Sequence, residues 1–325
     1  MDPFVKSISI VCTFDNNYSQ HCGVLLASLF ENNKNICFDI YIVSDFIDDV
    51  NKSRLFALVS AYSQRLYYIQ IDKKKFEGLP FGGKFSHISL ATYYRLMLPE
   101  VLPVTLDKIL YLDCDIIVNG RIESLWNIDL KYYTIGAVED NIVISSEAPR
   151  RLGYPPVQSS YFNAGVMLMN LSLMRDIQFT KNAFVYIEQH LKEIVYHDQD
   201  ILNVLLYDQK LFLPIKWNVM ECFLFRRPLI HFRYKKELRE AQIAPSIIHF
   251  TGKLKPWIKE CDHPYRDLYY KYLYITEWRN YVPQDKYVRR SQKILFDIKK
   301  MIQYVLDKMF LKSYLYDQSI KLDNK

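Results

Sequence analysis

The stretch Lys108 to Val118, K-I-L-Y-L-D-C-D-I-I-V, decides how the rest of the chain is read. Five residues typical of a buried strand lead into two carboxylates with one residue between them, and three apolar residues follow. Burying an unpaired carboxylate is costly, so the strand is expected to run through the core and open at its end into a cleft. On an extended segment Asp113 and Asp115 project to one side, roughly 6–7 Å apart at their Cα atoms, while Cys114 points the other way. Two hard oxygen ligands directed at one point suit Mg2+ or Mn2+, and such a cation usually accompanies a diphosphate. The other reading is a strand-terminal turn in which both Asp accept from backbone N–H groups. The stretch alone leaves both readings open.

Outward from this centre, 325 residues allow one large α/β domain or two smaller ones, and a 50% hydrophobic, 15% aromatic composition excludes a disordered chain. Nine Gly are too few to make a glycine-rich nucleotide fold the first choice. The six Cys form no C-x-x-C pair and sit largely in apolar patterns, which predicts reduced, buried residues of a cytosolic protein. The N-terminus enters a strand pattern almost at once, predicting no secretory leader, and no uncharged apolar stretch reaches the length of a membrane span. Of the net charge of +6, most lies at the end: ten basic and five acidic residues from Asp285 onward, against 32 and 31 before it. A near-neutral body with a basic tail argues against nucleic-acid binding and for one local anionic partner.

The chain alternates strands and helices. Ser7–Phe14 reads as a strand ending in Asp15-Asn16-Asn17, followed by helical spacing at Tyr18, Cys22, Leu25, Leu26 and Leu29. That polar junction is where open α/β sheets bind ligands, although Asp15 or Asn17 would equally cap the helix. Phe38–Val43 and Leu66–Ile71 read as strands around a helix from Val50 to Ala61, and Phe76–Phe85 as a loop. Ser89–Leu98 reads as a helix ended by Pro99, with Arg95 either snorkelling to the surface or turning its fork to an anion. Thr134–Val138 runs as a strand into Glu139-Asp140, followed by a loop containing Pro149, Gly153, Pro155 and Pro156. Phe162-Asn163-Ala164-Gly165 leads into a buried strand, and its small residues allow a close approach of the backbone to a ligand. His197-Asp198-Gln199-Asp200 opens a helix whose dipole alone would explain an acidic residue but not the whole cluster. In the last strand, Ser246–Phe250, His249 reads first as a core histidine, yet Gly252 and Lys255 follow within six residues. The pattern predicts an α/β fold with a mostly parallel sheet covered on both faces. From about Tyr287 to Leu311, Ile294, Ile298, Met301, Ile302, Val305 and Met309 recur at helical intervals among Lys and Arg. That is either a membrane-surface helix for anionic lipids or a terminal helix packed on the body.

Taken in order, F-D-N-N-Y, T-Y-Y-R-L, Y-L-D-C-D, Y-F-N-A-G-V, D-Q-D-I-L-N and H-F-T-G-K-L-K-P-W resemble the motifs of glycosyltransferase family 8, over about Ser7 to Trp257. That family includes bacterial lipopolysaccharide galactosyl- and glucosyltransferases. The resemblance implies a GT-A fold, a Rossmann-like α/β domain with a smaller, mainly β acceptor region, a UDP-sugar donor, Mn2+ (or Mg2+) and retention of the anomeric configuration. Residue by residue, Asp113, Asp115 and His249 match the family's metal ligands, Lys255 and Gly252 its diphosphate contacts, and Asp15 and Asn17 its uridine-binding pair. Arg95, Asp140, Asn163, Ala164, Asp198 and Gln199 match residues around the donor sugar. Cys114 stands where Thr, Ala or Ser is more usual, with its backbone still able to meet the ribose, and Glu139 adds a second carboxylate beside Asp140.

The implied activity is a metal-dependent retaining transfer of glucose or galactose from a UDP-sugar to a surface glycan or lipid-linked saccharide at the cytoplasmic membrane face. Residues 1–284 would form the catalytic domain, and 285–325 the basic helical tail that holds it there. Retention needs either a covalent intermediate, for which Gln199 and Asp198 are the candidates, or front-face attack by the acceptor, which the weak nucleophilicity of an amide favours. The competing classes are a nucleotidyl or phosphoryl transferase and a UDP-sugar-binding protein without turnover.

Overall fold

The computed structural model describes residues 7–79, 89–155, 161–225, 228–285, 294–295, 297–298 and 301–302. Among these residues ten strands form two sheets. β1 (Ile8–Thr13), β2 (Phe38–Ser44), β3 (Arg65–Gln70), β4 (Lys108–Leu112), β6 (Ile135–Glu139), β7 (Phe162–Asn170) and β8 (Lys210–Phe212) make the larger one, in the order β3-β2-β1-β4-β7-β6-β8. Of the strands described in this sheet, only β7 runs against its neighbours. β5 (Ile116–Val118), β9 (Val219–Met220) and β10 (Ile247–His249) make the smaller sheet, with β10 in the middle. β1, β2 and β4 are buried along nearly their whole length because helices cover both sheet faces, so their sequences read as apolar runs without alternation.

The strand order reverses between β1 and β4: β1, β2 and β3 step outward one way, and β4 returns to the other side of β1. Crevices form at such switch points, beyond the carboxyl ends of the strands. Thr13 and Leu112 end there, which delivers Asp15 and Asp113 to one place. The stretch that began the sequence reading is two strands and not one. Its apolar ends belong to different sheets, and Asp113-Cys114-Asp115 is the crossing between them. The antiparallel register of β5 with β10 sets Ile116 opposite His249, and Phe250 N–H donates to the Asp115 carbonyl (3.0 Å). A residue 134 positions downstream is thereby seated beside the D-x-D.

Several expected elements differ. Ser89–Leu98 is not an α-helix: Leu90–Met97 is a 3-10 helix capped by Ser89. Pro99 does not end it, but sits in the first turn of the short helix Leu98–Val101, where its missing N–H has no intrahelical partner to lose. The expected loop after Asp140 contains the helix Ile142–Leu152 despite Pro149. The Asn141 side chain accepts from Ile144 N–H at its start, and Gly153 (φ +74°) closes it in the left-handed region. β7 starts at Phe162, so Asn163-Ala164-Gly165 is strand backbone. Most of the loop expected over 76–85 and most of the basic tail lie outside the described residues.

Candidate active site

A cavity of about 400 Å³ opens at the switch point. It is lined by Asp15, Arg95, Asp113, Cys114, Asp115, Asp140, Asn163, Ala164, Asp198, Gln199, His249, Gly252 and Lys255. Twelve of these come from motifs scattered over some 240 residues, and the fold gathers them all. Asn17 is the exception: it is exposed outside the wall, and its N–H is spent on the Asp15 side chain (2.9 Å). Asp15 thus caps the 3-10 turn Asn16–Tyr18 and not the helix Ser19–Asn32, which has no side-chain cap, and it also lines the cavity.

At one end the groups are ionic. His249 Nε2 lies 3.2 Å from Asp115 Oδ1 and 3.9 Å from Asp113 Oδ2, and one donor atom from each of the three residues falls within 4.8 Å of the others. Oxygen and imidazole donors at that spacing fit a divalent cation such as Mn2+ or Mg2+. Lys255 Nζ, almost fully buried, donates to Asp115 Oδ2 (2.7 Å) and the Phe250 carbonyl (2.7 Å). Burial pushes the Asp115 carboxyl up, but Lys255 and His249 outweigh it and hold it well below the usual carboxylate range. Asp113 is fixed by Arg95 Nη2 (2.8 Å) and Tyr111 Oη (2.8 Å), so the hydrogen bonds of both carboxylates run to side chains and not to a turn backbone. Arg95 does not snorkel. Its fork reaches Asp113, the Ala164 carbonyl (2.7 Å) and Asp198 (3.0 Å), and its carbon sits 4.5 Å from the Tyr111 ring centre. Desolvation lowers the Arg95 pKa and its two carboxylate partners more than restore it.

Cys114 turns away as expected, its thiol meeting those of Cys12 and Cys22 in the core. Hydrogen bonds from Cys114 and Cys22 pull the Cys12 thiol down to about 5. All six cysteines are free.

At the other end the groups are amides. Gln199 Oε1 accepts from Ala164 N–H (2.9 Å) and Asn163 Nδ2 (3.2 Å), while its Nε2 donates to Asp140 Oδ2 (3.0 Å). Burial raises the Asp140 carboxyl, partly offset by N–H donors from Asn141, Asn163 and Gln199. Asp198 is likewise raised by burial, against the pull of Arg95 and Thr92. The four residues His197 to Asp200 are indeed a helix start, but their roles diverge. Asp200 turns away from the cavity to Arg151 (2.7 Å to each carboxylate oxygen), Tyr161 Oη (2.7 Å) and two backbone N–H groups. Glu139 also faces elsewhere, toward Ser145 and Arg233, leaving Asp140 as the carboxylate on the cavity.

Sequence reasoning gave no role to two residues that hold this site and a different role to a third. Tyr111 is hidden in an apolar strand. Asn218 sits in W-N-V-M, where the only signal is one amide in an apolar run. Gly165 was read for backbone approach, but the reason is steric: a Cβ there would collide with the His249 ring and stand 2.9 Å from Asp113 Oδ2. Gly252 is similarly closed, by Glu221.

The profile of glycosyl transferase family 8 matches residues 9–261. The chain belongs to glycosyltransferase family 8. It is 32% identical to general stress protein A of Bacillus subtilis, over 83% of this chain and 94% of that protein. It is 30% identical to the lipopolysaccharide 1,2-glucosyltransferase of Escherichia coli K12, over 93% of this chain and 86% of that enzyme. Among solved structures, the galactosyltransferase LgtC in complex with donor and acceptor sugar analogs superposes with a TM-score of 0.74 at 25% identity, covering 88% of this chain and 99% of LgtC. The expected GT-A architecture is thus the observed one, and this family 8 chain is a glycosyltransferase.

Proposed function

We propose that this glycosyltransferase moves glucose or galactose from a UDP-sugar, with retention, to a cell-surface glycan or lipid-linked saccharide, and that it depends on Mn2+ or Mg2+. The observation that carries the reading is the convergence of Asp113, Asp115 and His249 on one point of the cavity, with the Lys255 ammonium beside it. Bound there, a divalent cation would offset the charge that builds on the departing diphosphate. Lys255 and the backbone at Gly252 would hold the phosphates, Asp15 and the Cys114 backbone would border the nucleoside, and Asp140, Asn163, Ala164 and Gln199 would face the hexose. Asn17 is left without a part.

Front-face attack is favoured over a covalent intermediate. Both acceptor positions of the Gln199 amide oxygen are taken by N–H donors, and each Asp198 carboxylate oxygen is engaged by Arg95 or Thr92, which weakens both as nucleophiles. In the front-face course the bond from C1 to the phosphate oxygen breaks, and the acceptor oxygen bonds to C1 on the same face. The acceptor proton passes to the leaving phosphate. The similarity to named lipopolysaccharide hexosyltransferases supports the acceptor class.

The tail is the membrane contact in this reading, on the cytoplasmic side. Contacts of the body run as far as Asp285, which ion-pairs with Lys259 (3.3 Å), and this supports a boundary near 284. Beyond it Ile294, Leu295, Ile298, Met301 and Ile302 are all exposed, which favours a membrane-surface helix over one packed on the body. No helix among the described residues is long and apolar enough to cross a membrane.

Screening UDP-glucose and UDP-galactose for Mn2+-dependent UDP release tests the activity. Release from one of them that stops with chelator is expected. Release of sugar phosphate would point to phosphoryl transfer, and UDP binding without any turnover to a binding protein. Truncation after Pro283 should leave UDP release intact and abolish sedimentation with anionic vesicles.

A further inference from the structure

Asn218 is fully buried, does not line the cavity, and touches both of its ends. The two ends of a side-chain amide look alike, and a neighbour that can donate but not accept marks the oxygen. β7 supplies two such neighbours. Gly165 N–H points at one end of the Asn163 amide (3.0 Å), so that end is oxygen. Ala164 N–H fixes the Gln199 oxygen in the same way (2.9 Å). The Asn163 oxygen is also 2.9 Å from the Asn218 amide, which must therefore present its nitrogen there. The Asn218 oxygen then faces His249 Nδ1 (3.0 Å), and this contact is a hydrogen bond only if Nδ1 carries the proton. In the neutral ring Nε2 is left bare, directed at Asp113 and Asp115, as a metal-binding imidazole must be. In the other direction, the same chain turns the Asn163 nitrogen to Asp140 Oδ2 and Gln199 Oε1, both 3.2 Å away.

We infer that Asn218 is a positioning residue that sets the His249 tautomer and, together with Gly165 N–H, holds the Asn163 orientation, coupling the grip on the cation to the shape of the sugar end. The inference rests on the reading of Asp113, Asp115 and His249 as metal ligands. It is independent of which hexose is transferred.

Two variants separate the two halves of the role. N218L fills similar volume and bonds to neither neighbour. N218D keeps an acceptor for His249 Nδ1–H but sets a second oxygen against the Asn163 oxygen. Full-length protein is followed by Mn2+ titration, by 15N shifts of the labelled His249 ring without metal, and by UDP-sugar kinetics, with thermal unfolding as the fold control. N218L is expected to lose Mn2+ affinity by about 10–100-fold and to populate the Nε2–H tautomer. N218D is expected to keep the Nδ1–H tautomer and Mn2+ affinity within about threefold, while KM for the sugar nucleotide rises on the order of tenfold and UDP alone binds as before. Wild-type affinity and an unchanged tautomer in N218L would overturn the inference alone. Equal loss of metal, sugar and thermal stability in both variants would also overturn it, in favour of a packing role. Wild-type protein that binds no Mn2+ would remove the metal-site reading and the inference with it.

Discussion

The two ends of the cavity are built on different principles. At the ion end, Asp113, Asp115, Arg95 and Lys255 meet as charges, each held by an opposite charge at 2.7–2.8 Å, and the His249 imidazole stands 3.2 Å from Asp115. At the sugar end, Asn163, Gln199 and Asp140 meet as hydrogen-bonding groups whose orientations are dictated by the backbone N–H groups of Ala164 and Gly165. The first arrangement suits a compact ionic ligand, and Coulomb attraction tolerates some displacement of it. The second suits hydroxyl groups, because a directional donor or acceptor out of line loses most of its worth. The contrast also orders the expected costs of breaking each end.

The largest effect is expected from D115N. It removes the charge shared by His249 and Lys255, and transfer should fall on the order of 10³-fold while the far-ultraviolet dichroism stays that of the parent. A variant with normal turnover would remove the ion end from the chemistry. G165A comes next. The added methyl cannot coexist with the present positions of His249 and Asp113, so Mn2+ affinity should drop about 100-fold, with a stability loss of about 1–3 kcal/mol read by denaturant unfolding.

At the sugar end the expected effect is smaller. D140N sets an NH2 group against the amide donors of Asn163 and Gln199 unless it flips toward Asn141 N–H. The value of kcat/KM should fall about 10–30-fold, with UDP affinity unchanged in calorimetry. A matching loss of UDP affinity would show that the two ends are not separable.

The smallest effect lies behind the ion end, where the His21 ring stacks on Trp257 (3.5 Å between centres) and bonds Tyr269 Oη (2.7 Å). Burial pushes its pKa down from 6.5 to about 3. Between those values the unfolded chain holds the extra proton. His21 therefore adds stability above pH 6.5 that is lost as pH falls toward 3, amounting to about 1 kcal/mol by pH 5.5. The slope of unfolding free energy against pH should flatten over that range in H21Q.

The same contrast explains what the sequence disclosed. The ion end was legible as a set of groups that are chemically conspicuous in apolar surroundings, two Asp at a strand end and a His within S-I-I-H-F. The residues alone left a turn and a core histidine open, and only the family resemblance joined these groups as a metal site. What the residues could not give was the partition of Lys108–Val118 between two sheets, since three-residue strands carry too little periodicity to announce a register. The sugar end was legible only in part. Asn163 and Gln199 stood in quotable motifs, but their orientation comes from main-chain donors that every residue possesses, and Asn218 is joined to them only by folding. Asp200 and Glu139 look no different in sequence from Asp198 and Asp140. Tertiary partners, Arg151 and Arg233, decide that they face away. The helix Ile142–Leu152 was hidden by Pro149, whose breaking tendency is overcome by its Asn141 cap and Gly153 terminus.

The claim beneath all of this is that Asp113, Asp115 and His249 jointly hold the cation on which the nucleotide diphosphate rests. Titrating Mn2+ into the wild-type chain and H249A by electron paramagnetic resonance, with and without UDP, tests it most directly. The account predicts one Mn2+ per chain, bound more tightly when UDP is present, and affinity lower by about 100-fold in H249A. Equal Mn2+ affinity in the two proteins, or UDP binding indifferent to Mn2+, would contradict it.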